Sequence, residues 1–188
     1  MTREEALDLL YKNMQSPNLR RHCLAVEAVM RALAKRFDAD VESWGIAGLL
    51  HDADYEKVKD TATKDHTKKV IEWLAEYDTG DDIKNAILAH GWGFVEGNLK
   101  PNNKMEWSLY CCDELTGFIV AVALTRPNKT LAEVTVESMQ KKWKEKSFAG
   151  GVSREQVATC EDELNIPLEE FMDIALKAMQ GISEELGL

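Results

Sequence analysis

Residues 45–57 read Gly-Ile-Ala-Gly-Leu-Leu-His-Asp-Ala-Asp-Tyr-Glu-Lys, an apolar run that ends abruptly in the pair His51-Asp52. The apolar residues predict an interior helix, and the pair stands where that helix should end. Neighbouring helical positions point about 100° apart, so an imidazole and a carboxylate face one centre most easily at a fraying helix end. We therefore expect His51 and Asp52 to lie together in a buried site.

The other histidines repeat this placement. The chain has four histidines, and each stands on the apolar row of a different predicted helix, where a solvated side chain would not be expected. They are His22, His51, His66 and His90. We interpret the four as convergent metal ligands.

An aspartate belongs with them. Asp113 shares an otherwise apolar face of the predicted helix Lys104 to about Leu124, where a lone carboxylate would have a large desolvation cost. Pairing or a bound cation would remove that cost. Asp113 is therefore a further candidate ligand.

The fold class follows from the periodicity of the apolar residues. Nearly every long segment has apolar residues spaced by three and four, and alternating strand patterns are absent. The sequence predicts an all-α fold. Its predicted helices begin at or just after Thr2, Asn18, Asp40, Thr63, Ile83, Lys104, Ser153 and Pro167.

The length of 188 residues favours one domain, 1–188, with a motif core of about 18–124 and a helical C-terminal extension of about 125–188. The net charge of −10 argues against a nucleic-acid polymer or an anionic membrane as partner. A small anionic substrate remains compatible with this charge, because a metal ion outweighs a distant negative field. We expect a cytoplasmic protein whose four cysteines are reduced.

Taken singly, each candidate ligand has a structural explanation, such as a core histidine bonded to a carbonyl oxygen. The joint occurrence favours a metal site. Imidazole and carboxylate ligands without thiolate suit divalent Fe, Mn, Co, Ni or Zn. Six ligands exceed the needs of one tetrahedral ion and would fit two ions bridged by a carboxylate.

The order His22, then His51-Asp52, then Asp113 resembles the HD-domain superfamily of metal-dependent phosphohydrolases, an all-helical family named after the His-Asp pair. The resemblance covers Asn18 to about Leu124, and the C-terminal part also resembles small bacterial HD or HDIG hydrolases. It implies that these four residues bind one metal ion. In two-metal members two further histidines follow the pair, matched here by His66 and His90, with Asp52 as the bridge.

The sequence around His51-Asp52 differs from the motifs of known family members at positions that affect the predicted substrate and mechanism. The HDIG signature is replaced by His-Asp-Ala-Asp, and the Gly-Tyr-Pro hallmark of cyclic-di-GMP phosphodiesterases is missing. Nucleotidase-like members place a glutamate three residues after the motif aspartate, a position occupied here by Tyr55. Asp54 and Glu56 on either side, together with Asp52, are the candidate acid-base residues.

The resemblance implies hydrolysis of a small phosphate ester, a nucleotide being one candidate, by metal-activated water. We expect Lys57, Arg126 and Lys129 to contact the phosphate; the alternative is that each is a solvated surface charge. For Arg20 and Arg21, beside His22, the sequence favours neither role. The alternatives are a di-iron oxygenase of the same fold and a non-catalytic metal- or nucleotide-binding signalling domain. The amphipathic last helix could support a homodimer or complete the core.

Overall fold

The computed structural model describes all 188 residues and contains helices but no strands, so the all-α prediction is confirmed. The α-helices, numbered in chain order, are α1 Arg3–Asn13, α2 Pro17–Arg36, α3 Val41–Leu50, α4 Tyr55–Val58, α5 Ala62–Asp65, α6 Lys68–Leu74, α7 Asp81–His90, α8 Lys104–Leu124, α9 Val136–Trp143, α10 Arg154–Leu164, α11 Leu168–Gln180 and α12 Ser183–Leu186. Short 3₁₀ turns lie at Lys59–Thr61 and Leu131–Glu133.

Local capping explains where the first helices begin. Thr2 and Glu5 form a complete capping box at α1, and the Asp40 side chain accepts hydrogen bonds from backbone N–H groups at the start of α3. The start of α2 differs from the prediction: Ser16 is the cap and Pro17 is the first helical residue, instead of a cap at Asn18. Proline fits the first helical position because its missing N–H would have no partner there.

The central helices α2, α3 and α8 form the scaffold of the site. Gly48 of α3 lies against α2 so closely that an added Cβ would stand 3.0 Å from the Cα of Glu27 and from the carbonyl oxygen of Val26. A side chain at this position would force the two backbones apart. The close approach brings the C-terminal end of α3, with its His-Asp pair, next to the N-terminal half of α2.

The long helix α8 runs through the interior. By length and hydropathy it could span a membrane, but about two thirds of its most apolar stretch is buried, and it packs against α2, α7 and α10. Its apolar character is therefore explained by burial within the same chain.

The C-terminal helices pack on this scaffold. The apolar face of α11, including Phe171, Ala175 and Met179, is buried in a core that extends from Ala6 to Leu186. This face completes the core, so a homodimer, which stays a prediction, would need another surface.

One predicted helix is interrupted. A single helix from Thr63 through His66 was expected, but α5 ends at Asp65 and α6 begins at Lys68. His66 has an extended backbone, and Thr67 adopts a φ of +67°, which is unfavourable for a β-branched residue. Because the helix breaks here, the His66 side chain can turn toward the interior.

Candidate metal centre

The four imidazoles converge through the same ring atom. Nε2 of His22 lies 3.2 Å from Nε2 of His51, and Nε2 of His66 lies 3.2 Å from Nε2 of His90. The His51 and His90 rings, 5.0 Å apart between centroids, connect the two pairs. Side chains from four separate segments thus meet at one centre.

Two aspartates complete the cluster. Asp52 directs Oδ2 toward Nε2 of His22 and His51, at 3.7 and 3.6 Å, and Oδ1 toward Nε2 of His66 and His90, at 3.2 and 3.5 Å. Asp113 places Oδ1 at 2.9 Å from Nε2 of His22 and 3.4 Å from Nε2 of His51. The Asp52 carboxylate therefore lies between two halves of the cluster, one of which also contains Asp113.

Each ring is oriented through its other nitrogen. Nδ1 of His51 donates to the carbonyl oxygen of Gly48 at 2.7 Å, and Nδ1 of His90 donates to that of Ile87 at 2.6 Å. A carbonyl oxygen only accepts hydrogen bonds, so both Nδ1 atoms carry a proton. When Nε2 is unprotonated, rings held in this way present its lone pair to the cluster.

His22 has a hydroxyl partner instead. Nδ1 of His22 lies 3.3 Å from Oγ1 of Thr116, whose hydroxyl donates to the backbone oxygen of Asp113 at 2.8 Å. The Thr116 oxygen is then free to accept the Nδ1 proton. The fixed tautomer directs the His22 Nε2 lone pair into the cluster, as in the other rings.

This arrangement requires positive charge at the centre. Two neutral imidazoles whose Nε2 lone pairs face each other at 3.2 Å repel unless a proton or a cation lies between them. Ligands bound at about 2.0–2.1 Å to one tetrahedral ion lie about 3.3 Å apart, which matches this spacing. The donor set therefore fits a divalent transition-metal ion.

The ionisation of the cluster supports the same conclusion. Burial lowers the pKa of His51, but Asp52 and Asp113 outweigh it and raise the pKa to about 9. Burial likewise opposes the charge on His66, yet Asp52 and Asp54 raise its pKa to about 10. Since the carboxylates stabilise positive charge, the cluster attracts cations.

A buried carboxylate elsewhere in the chain provides a comparison. Glu27 is almost fully buried and pairs with Arg3 at 2.6 Å and Arg31 at 2.8 Å. Neither Asp52 nor Asp113 pairs with a lysine or arginine, and their close partners are imidazoles. These cluster carboxylates thus lack the arginine partners that neutralise Glu27.

Asp54 does not have the predicted orientation toward a water or a leaving group. Its side chain is fully buried, with Oδ1 2.7 Å from Nδ1 of His66 and Oδ2 accepting the Val70 N–H at 3.0 Å. The carboxylate binds the outer nitrogen of His66 and the start of α6. These contacts do not support a direct acid-base role for Asp54 and indicate instead that it positions His66.

Glu56 and Lys57 also lie away from the cluster, so their predicted roles as an acid-base residue and a phosphate ligand gain no support from their contacts. Oε2 of Glu56 accepts hydrogen bonds from the backbone N–H groups of Gln15 and Ser16, in the turn between α1 and α2. Nζ of Lys57 donates to Oδ1 of Asn13 at 2.8 Å. The α4 turn directs both side chains toward α1 instead of toward the cluster.

Arg126 and Lys129 were expected to bind the phosphate, but they follow α8 at its far end. The helix continues for eleven residues beyond Asp113, which is about 16 Å at 1.5 Å per residue. Arg126 lies near Thr135 and Ser138 at the start of α9, and Lys129 is exposed in a turn with a φ of +56°. The distance along α8 separates both residues from the cluster.

The residues that support the candidate ligands were not predicted from the sequence. Thr116 is one turn after Asp113, so the three-residue spacing was a usable signal. Asn98 donates to Oγ1 of Thr67 and to the carbonyl oxygen of Leu88, which ties the loop after α7 to the strained residue beside His66. That contact spans 31 positions, and no local pattern predicts it.

The comparisons with known proteins agree with this geometry. Residues 19–110 match the family model described as HD domain, a range that contains all four histidines and Asp52 and ends before Asp113. No curated protein matches the chain significantly. Ligand atoms of His22, His51 and Asp113 lie within 4.8 Å of one another, as do those of His51, Asp52 and His90. Residues 19–110 therefore match an HD domain, and the clustered His and Asp side chains of the chain could hold a metal ion.

Proposed function

We propose that this protein is a metal-dependent phosphohydrolase that holds two divalent transition-metal ions and cleaves a small phosphate ester. The proposal depends mainly on Asp52, whose two oxygens face different histidine pairs. In the proposed site His22, His51 and Asp113 would hold one ion and His66 and His90 the other, with Asp52 contributing to both through its two oxygens. Ions held by these residues would supply an activated water molecule and would neutralise charge on the phosphoryl oxygens.

The protein groups prepare the site for this chemistry. The Nδ1 partners Gly48, Ile87 and Asp54 fix three ring orientations, so little reorganisation is needed when an ion binds. Asp54 acts through His66 and has no direct role at the reacting atoms.

Solvent exposure indicates the side from which a substrate approaches. The side chains of His22, Asp113 and Asp52 are 24%, 21% and 15% exposed. Those of His51, His66 and His90 are 0%, 5% and 4% exposed. A phosphoryl group would therefore reach the centre from the His22 and Asp113 side.

The test is metal analysis of protein purified without chelators, followed by assays of phosphomonoesters, nucleotides and cyclic dinucleotides with Mn²⁺ or Fe²⁺ added. We expect metal-dependent hydrolysis that Asp52→Asn abolishes. Asp60→Asn, which changes an exposed carboxylate in the following 3₁₀ turn, is the matched control and should retain activity.

Other outcomes would favour the alternatives. Oxygen uptake by the reduced, iron-loaded protein, without phosphate release, would support an oxygenase. If the metal-loaded protein turns over no phosphate ester and consumes no oxygen, a binding or signalling domain becomes the better explanation.

A further inference from the structure

A cavity of about 430 Å³ lies between α2 and α8. It is lined by Asn18, Arg21 and His22 from the N-terminal part of α2 and by Thr116, Gly117 and Val120 from α8. The last three residues of the chain, Leu186, Gly187 and Leu188, also line it. Its volume is within the range of small-molecule binding sites, about 300–1,000 Å³.

The cavity adjoins the exposed side of the metal centre. His22 belongs to both, because its Nε2 faces the cluster while the residue also lines the cavity. Thr116 is shared in the same way, since its hydroxyl lies beside Nδ1 of His22. A molecule whose phosphoryl group approaches from the His22 side can therefore extend into the cavity.

Gly117 keeps this space open. It stands inside the 21-residue helix α8, where glycine is among the poorest helix formers. An added Cβ would meet no atom within 4 Å, so packing against the rest of the chain does not require a glycine. A larger side chain at this position would extend into the volume beside His22.

The lining combines an apolar wall with an unpaired cation. Ala25, Val120 and Leu124, together with Leu186 and Leu188 of the C-terminal segment, supply apolar surface. Arg21 also lines the cavity, is exposed, and forms no ion pair or side-chain hydrogen bond within the chain. Every other arginine near α2 has a carboxylate or carbonyl partner: Arg20 with Met14, Arg31 with Glu27 and Arg36 with Glu170.

We propose that this cavity binds the organic group of the substrate, and that the substrate is a phosphate ester whose organic group is largely apolar. Arg21 contacts an anionic oxygen of the same ester. The inference rests on the proposed phosphohydrolase function and adds the substrate class to it. An apolar wall with one free guanidinium suits an alkyl or aryl phosphate better than a polyhydroxylated sugar phosphate.

The test compares hexyl phosphate with glycerol phosphate, two alkyl esters of similar intrinsic reactivity that differ in the polarity of the organic group. We expect the metal-loaded wild type to prefer hexyl phosphate by at least about tenfold in kcat/KM, because burying each methylene group is favourable. Gly117→Leu should abolish this preference by lowering kcat/KM for hexyl phosphate at least about tenfold more than for glycerol phosphate. Val120→Phe, which narrows the cavity one turn further along α8, should have the same effect.

Gly117→Ala is the matched control. It brings the same improvement in helix propensity without filling the cavity, so it should retain the preference for hexyl phosphate and raise the melting temperature. A direct binding readout accompanies the kinetics: hexylphosphonate, which is not hydrolysed, should bind the wild type and Gly117→Ala but not Gly117→Leu by calorimetry. Metal content should be equal in all three proteins.

The possible failures are distinguishable. If Gly117→Leu keeps the preference, or lowers turnover of both esters equally at equal metal content, the cavity proposal is wrong. If the wild type hydrolyses neither ester, the phosphohydrolase proposal loses support, and hexylphosphonate binding then decides on the cavity alone. If hexylphosphonate binds the wild type but not Gly117→Leu, the cavity proposal is supported. If hexylphosphonate does not bind, or binds both proteins equally, the cavity proposal is wrong.

Discussion

Asp54 and His66 form a buried pair in which Nδ1 of the imidazole lies 2.7 Å from Oδ1 of the carboxylate. The second oxygen of Asp54 accepts the Val70 N–H at the start of α6. One side chain thus fixes both the ring that faces Asp52 and the helix that follows the break. The pair connects local folding to the candidate metal centre.

Removing this carboxylate should weaken the second metal position more than the first. We expect Asp54→Ala to lower the affinity for the second ion by about 10–100-fold, because outer partners orient the ligand and raise its basicity. Calorimetric titration of the metal-free protein with Mn²⁺ or Zn²⁺ measures the binding of the first and of the second ion. Asp60→Ala is the exposed control, and equal weakening of both steps would contradict the assignment of Asp54 to His66.

The same substitution should destabilise the metal-free protein. Asp54→Ala leaves Nδ1 of His66 and the buried Val70 N–H without partners, which costs about 1–3 kcal/mol for an unsatisfied group. Urea unfolding of the chelated proteins gives the difference. No loss of stability would mean that water or another group replaces the carboxylate.

Metal stoichiometry should separate the two halves of the cluster. We expect about two ions per chain in the wild type and about one in His66→Ala, which removes a ligand from the His66 and His90 half. Asp52→Asn should reduce occupancy of both positions, because each oxygen faces a different half. Elemental analysis after gel filtration measures this, and a single ion in the wild type would contradict the two-metal arrangement.

Chelation should lower the melting temperature. A ligand that binds only the folded state stabilises it by about 2.7 kcal/mol at a free concentration of 100 times Kd. For a chain of this size, this corresponds to a shift of about 5–10 °C. Thermal unfolding with and without a chelator, and after metal is restored, gives the measurement; an unchanged midpoint would indicate a purely structural cluster.

Metal binding should release protons. The carboxylates raise the pKa of His51 to about 9 and of His66 to about 10, so both rings are protonated at pH 7.5 in the metal-free protein. A bound ion requires the unprotonated rings, and about two protons should leave. Calorimetric enthalpies in buffers of different ionisation enthalpy count them, and enthalpies independent of the buffer would contradict this expectation.

The same shifts predict how the stability of the metal-free protein depends on pH. A histidine with a raised folded-state pKa contributes stability that is fully present below its unfolded value of about 6.5. That contribution declines as pH rises and is lost through pH 9 to 10. Chelated protein should therefore lose stability over this window more steeply than metal-loaded protein, as thermal unfolding at several pH values would show.

Arg21 should matter for substrate binding, whereas the lysines and arginines first suggested by the sequence should not. We expect Arg21→Gln to raise KM about tenfold with little change in kcat, which is the effect of losing uniform binding. Lys35→Gln removes the same charge from an exposed position of α2 and is the control. An equal effect of both substitutions would indicate a general charge effect.

Much of the fold and the membership of the His and Asp cluster could be predicted from the sequence, because helix periodicity, capping and burial patterns are local. The spacing of apolar residues predicted an all-α chain, and the polar residues on apolar rows identified all six residues of the cluster. The prediction worked because an imidazole or carboxylate on a buried face has a desolvation cost that requires a partner. That cost can be inferred without coordinates.

Only the tertiary structure decided which way the remaining side chains point. The sequence places Asp54, Glu56 and Lys57 within five residues of Asp52, yet Asp54 turns to His66 while the other two turn to α1. Proximity along the chain does not fix orientation in a turn, because each side chain is directed by a hydrogen-bond partner 12 to 44 positions away. The break at His66, the two-sided placement of Asp52 and the cavity beside His22 likewise depend on how distant helices pack, which no local pattern encodes.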